Sequence, residues 1–249
     1  RVRRCALPRP DHRRRRHQTR MKKGREMCPK KHNFQVDSTY SCLASSFTTI
    51  CGLIHPQQRL DPYLVGDALL GPRDYYLVNL VDLITETGLL NINHQIITVI
   101  REKAEIFHIL KLALSCGAIC EVGVKGTPFV EKILGQVDIS PDNSGHSLVV
   151  YGFYQPDDSK DEGYYYVADS FSQRKLFIKS DDLYSVILSI NGRRIEINLF
   201  NLPENPPETL TLRSIKKGMI RKQTKQAILS RLKKLNPEIS GIGDNFCED

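Results

Sequence analysis

Apolar residues recur at helical spacing along "CLASSFTTICGLI", where Leu43, Phe47, Ile50 and Leu53 fall near one side and Gly52 stands close to the end. This spacing predicts a helix of about three turns that opens at Cys42. A second helix fits "DYYLVNLVDLITETGL", residues 74–89, which stops at Gly88. A third fits "KAEIFHILKLALSCG", with Ile106, Ile109, Leu110 and Leu114 on one side and Gly117 as its stop. It feeds into "AICEVGV", a short continuous apolar run of the kind a buried strand shows. Residues 125–145, rich in Gly, Pro, Asp and Asn, read as a loop. The period then changes: "HSLVVYGFY", "YYYVADSF", "KLFI" and "RRIEINLF" are β-branched and aromatic, with turn residues between them. Helices first and strands second predict an α+β domain, a helical N-terminal part packed on a C-terminal antiparallel sheet.

Charge and proline set the outer boundaries. Residues 1–32 hold fourteen Lys or Arg against two acids and almost nothing apolar, so a disordered basic tail is expected. Residues 33–201 form the expected domain, 202–212 ("LPENPPE" and its flanks) a Pro-rich linker, and 213–249 a basic amphipathic helix with an acidic end. The overall charge of +8 therefore sits in the ends, because residues 33–212 carry thirteen bases and twenty-two acids. That distribution ranks nucleic-acid binding low and leaves an anionic partner, or a solvated arm, for the basic tails. No apolar run of about 18 residues is present to span a membrane, and the Arg-rich start lacks the apolar segment of a cleavable signal. A cytoplasmic protein, or one secreted without a cleavable signal peptide, is expected.

Seven scattered cysteines in a chain of 249 residues predict free thiols rather than a disulfide framework. "CGAIC", Cys116 to Cys120, lies in an apolar run and reads as structural; no residue pattern calls for a metal or an organic cofactor. Cys42 differs because it opens a helix. A nucleophilic cysteine must fall from its usual value of about 8.5 to well below 7, and a helix N-terminus supplies only about 0.3–1 kcal/mol, ~2 at most. A histidine has to help. His12, His17 and His32 lie in the basic tail, His55 precedes a proline, His94 sits in a polar connector, and His108 falls inside the third helix. His146 opens a strongly apolar strand, where its backbone is fixed and a cleft can still reach its ring. An imidazole base also needs an orienting partner, and the next strand ends in Asp169. A hairpin pairing His146 with Asp169, Leu148 with Val167 and Val150 with Tyr165 puts base and acid on one face. Gln35, seven places before the cysteine, and the Cys42 backbone N–H are candidate donors to an oxyanion.

Gln35, "SCLASSF", "ALSCGAICEVGV", "GHSLVVYGFY" and "YYYVADSF" together resemble the papain-like cysteine peptidases, most closely the bacteriocin-processing (double-glycine leader) peptidases and their stand-alone relatives. The likeness covers about residues 33–200. It implies the papain-like fold, a helical lobe against a twisted antiparallel sheet with a cleft between. It also implies Cys42 as nucleophile, His146 as base and then acid, Asp169 as its orienter and Gln35 in the oxyanion hole. The chain departs from the pattern in having Leu43 where glycine commonly follows the cysteine and Ser170 where proline often follows the aspartate. A cysteine peptidase acting on a peptide or protein substrate is expected. The alternatives are a glutamine deamidase or acyl transferase on the same scaffold, or a peptidase-like domain that binds peptides without cutting them.

Overall fold

The computed structural model describes residues 24–27, 36–37, 42–57, 60–63, 65, 92–136, 145–157, 163–189, 192–211 and 230. Gln35, the helix expected at 74–89 and, Ser230 apart, the basic segment 213–249 lie outside them.

The architecture is α+β around one antiparallel sheet. In chain order the described elements are β1 (Gly24–Met27), α1 (Cys42–Ile54), β2 (His94–Ile100), α2 (Lys103–Ser115), β3 (Ile119–Lys125), α3 (Gly126–Phe129) continued by a π-helical turn (Val130–Leu134), β4 (Gly145–Pro156), β5 (Tyr164–Asp169), β6 (Arg174–Lys179), α4 (Ser180–Val186), β7 (Arg194–Phe200) and α5 (Glu208–Thr211). Six strands run in the order β2-β7-β3-β4-β5-β6, and β1 pairs with the far end of β4. β3 pairs with β4 as far as Val150, and β1 takes Phe153–Pro156, so the two share one side of the long strand. The disorder expected of residues 1–32 thus does not extend to Gly24–Met27, whose backbone finds partners on an edge that β3 leaves open.

The sheet has helices on both faces. Val122, Leu148, Val150, Val167 and Ile197 pack with Ile106, Ile109, Leu110 and Leu114 of α2. On the other face Val149, Tyr151, Ala168 and Phe200 pack with Ala44, Phe47 and Ile50 of α1. Helices and strands therefore do not separate into two blocks as the simple reading had it. β2 precedes α2 and joins the sheet, and its inward residues Ile97 and Val99 bury against α2 while Ile100 is 57% exposed.

α2 ends as its glycine predicts. Gly117 has φ +82°, its N–H donates to Leu114 O at 3.0 Å, and Ala118 N–H donates to Ala113 O at 3.1 Å, a Schellman cap. His108, inside this helix, faces solvent. The segment read as a linker is docked as well. Leu202 and Leu210 belong to the core, Asn93 Nδ2 donates to Leu202 O at 3.2 Å, and Gln95 Nε2 donates to Leu210 O at 3.1 Å. Proline makes the segment irregular; two buried leucines hold it to β2. The loop expected at 125–145 contains α3 and the π-helical turn. No helix among the described residues is long and apolar enough to cross a membrane.

Candidate active site

α1 begins at Cys42 and is buried along its whole middle, from Ala44 to Cys51. A helix sealed on every side must satisfy its small polar side chains locally or across a contact. Thr48 Oγ1 donates to Ser45 O at 3.1 Å, and the N–H of Asp37 donates to Thr49 Oγ1 at 3.3 Å. Ser46 Oγ donates to Ser147 O at 3.2 Å, which ties the first turn of the helix to β4.

The contact falls where β4 has an open side. β5 begins to pair with β4 only at Leu148↔Asp169, so Gly145, His146 and Ser147 run past the end of β5. The Ser147 backbone N–H is therefore available, and it donates to the Cys42 sulfur. Cys42 also shares a hydrogen bond with His146. Burial works against a thiolate here; the His146 hydrogen bond, the imidazolium charge and the Ser147 N–H outweigh it, and the thiol lies below its ordinary value.

His146 is held from its other side. Its Nε2 lies 2.7 Å from Asp169 Oδ1, which leaves Nδ1 for the thiol. Phe129 packs on the ring with centroids 5.4 Å apart, and Phe171 meets it edge-on at 6.4 Å. Burial disfavours the imidazolium, but the Asp169 and Cys42 hydrogen bonds and charges prevail and raise its pKa to about 9. Asp169 is fully buried. Its Oδ1 also accepts the Phe171 N–H at 3.2 Å and its Oδ2 accepts the Ser172 N–H at 2.8 Å, so the aspartate closes the turn that ends β5 while it orients the ring. Burial alone would raise its carboxyl; the hydrogen bonds from His146 and Ser172 hold it below the usual carboxylate range.

Three of the four expected site residues thus meet. The hairpin register differs from the expected one by two residues: Leu148 faces Asp169 and Val150 faces Val167, with a bulge between Val150 and Gly152. Because side chains alternate with period two, a shift of two keeps His146 and Asp169 on one face, diagonal to each other and within reach. The other cysteines with shifted thiols behave oppositely. Burial pushes Cys51 and Cys120 far above the ordinary thiol range, as the structural reading of Cys120 requires.

Residues that the sequence reading passed over adjoin the array. Glu121 on β3, 5% exposed, accepts from Ser147 Oγ at 2.6 Å and from Asn198 Nδ2 at 2.7 Å. His94, placed in a polar connector by the sequence reading, is on β2; its Nε2 lies 3.0 Å from Asn198 Oδ1 and its ring stacks on Phe200 at 4.7 Å. A signal was present in "AICEVGV", where one acid interrupts a buried apolar run. Among the described residues no three His, Cys, Asp or Glu side chains gather as a metal site requires. Comparisons with protein-family models, with curated proteins and with solved structures each give no match.

Proposed function

We propose that this chain is a thiol hydrolase of the cysteine-peptidase type, opening an amide or isopeptide bond of a peptide or protein through an acyl-enzyme. The observation that carries the reading is the shared environment of Cys42 and His146: the thiol is lowered, the imidazole is raised to about 9, and each is the other's partner. Both shifts favour a thiolate–imidazolium pair, the state a sulfur nucleophile needs. The α+β arrangement is read as papain-like, with α1 carrying the nucleophile and the antiparallel sheet carrying base and orienter.

In the proposed cycle the Cys42 sulfur attacks the carbonyl carbon, an S–C bond forms, and the carbonyl electrons move to oxygen. The N–H of Cys42, first in its helix and without an intrahelical partner, donates to that oxygen. Gln35 is assigned the second donor on resemblance alone. His146 gives its proton to the leaving nitrogen as the C–N bond breaks, then takes a proton from water, whose oxygen displaces the sulfur. When the leaving amine is ammonia the same steps are a deamidation, and when another amine replaces water they are a transfer.

The test is acylation by p-nitrophenyl acetate. A burst of one p-nitrophenolate per chain is expected, with the acetyl group found by mass spectrometry on the peptide containing Cys42. Cys42→Ala should abolish it, and His146→Ala should slow it by about 10²–10⁴-fold, the usual worth of a general acid–base group. A burst of the same size in Cys42→Ala overturns the proposal.

A further inference from the structure

The reaction described above makes no use of Glu121. It is the single acid in β3, and both of its carboxylate oxygens accept hydrogen bonds, from the hydroxyl of Ser147 and from the amide of Asn198. The amide of Asn198 is itself oriented, since its Oδ1 faces His94 Nε2. Burial raises the Glu121 carboxyl above its ordinary value, and the hydrogen bonds from Ser147 and Asn198 act against that by favouring the carboxylate. A buried anion is costly without a facing cation, and among the described residues no Lys or Arg makes an ion pair with Glu121. The titratable groups that face it are His146 on β4, Cys42 on α1 and Glu196 on β7, with His94 on β2 one hydrogen bond further off. Of these, His146 is held positive in the neutral range.

Ser147 joins the two sites. Its hydroxyl is on Glu121, its backbone N–H is on the Cys42 sulfur, and its carbonyl receives Ser46 from the first turn of α1. We infer that Glu121 is a positioning residue that sets the pH window of the Cys42–His146 pair, fixing the β4 backbone through Ser147 and placing a carboxylate beside both partners. The inference rests on reading Cys42 and His146 as a reactive pair. A carboxylate there makes the thiolate harder to form and the imidazolium harder to lose, so it moves both limits of the window toward higher pH. The Ser147 link does something different: it keeps the partners together, and so keeps the limits apart.

The two effects separate by direction in the full chain. The lower limit is read from the pH dependence of iodoacetamide alkylation of Cys42, and the upper limit from NMR titration of the His146 ring. In Glu121→Gln, which retains a hydrogen-bonding amide of the same shape, both midpoints should fall. Alkylation one pH unit below the wild-type midpoint should rise about threefold to fivefold, the change in thiolate fraction for about half to one unit. In Ser147→Ala the two midpoints should approach each other instead. Unmoved midpoints in Glu121→Gln, with a lowered melting temperature alone, overturn the inference by making the residue structural; converging midpoints there overturn it too. If Glu121→Gln does not fold, Ser147→Ala decides: convergence supports the inference and unmoved midpoints overturn it. A wild-type Cys42 that reacts at pH 6 no faster than free cysteine overturns the hydrolase reading and this inference together. An activated wild type with unmoved variants overturns this inference alone.

Discussion

At Cys42 the balance of opposing effects can be followed group by group. Burial favours the neutral thiol, and the imidazolium with a backbone N–H reverses that preference. Cys51, nine residues along the same helix, has burial with no imidazolium beside it, its backbone hydrogen bond does not offset that, and it is pushed the other way. Native alkylation should therefore label Cys42 and leave Cys51 and Cys120 unmodified until the protein unfolds, as peptide mapping by mass spectrometry would show. Asp169→Asn keeps an acceptor for the turn but removes the charge beside the ring, so the His146 titration midpoint should fall from about 9 toward the ordinary imidazole value near 6.5. The raised His146 pKa also fixes the sign of a stability effect. Stabilisation from this group is complete below about 6.5 and is lost as pH rises through about 9. The melting temperature of the wild type should fall across that interval relative to His146→Ala.

At the level of elements, the site depends on where strands stop. β5 ends at Asp169 because the aspartate turns the chain back on its own carboxylate, and that early end exposes the β4 backbone to which the helix N-terminus docks. Helix ends are set as locally. Gly117 takes φ +82° with no side chain within reach of an added Cβ, so Gly117→Ala should cost about 1 kcal/mol in backbone strain alone. Chemical denaturation would measure that loss, and Cys42 alkylation should be unchanged.

Across the whole molecule the sheet is a partition, with α2 burying one face and α1 the other. The stretch around Leu202 and Leu210 adds to the α2 side and is anchored by the side-chain amides of Asn93, just before β2, and Gln95 within it. Leu210 is fully buried, so Leu210→Ala should destabilise the protein by about 2–5 kcal/mol, the usual range for a buried leucine. A true linker would tolerate the change, and thermal or urea unfolding separates the two outcomes.

Local periodicity by itself determined α1, α2, β3 and the β4–β7 run, because each has an apolar pattern strong enough to specify its period and a glycine or turn residue to end it. It also placed Cys42 at a helix start and put His146 and Asp169 near facing strand ends with the same parity. What lay beyond it depended on partners distant in the chain. "HQIITVI" carries too weak an alternation to declare itself, and it becomes β2 only because β7 offers a matching edge. The hairpin register was set by the turn at Asp169 and the bulge after Val150, neither of which leaves a mark in a pattern of period two. The link from Glu121 through Ser147 to Cys42 joins three elements. A single acid in an apolar strand reveals that something must satisfy it, and only the folded chain decides which donors do, because hydrogen bonds across a sheet depend on register and not on sequence distance.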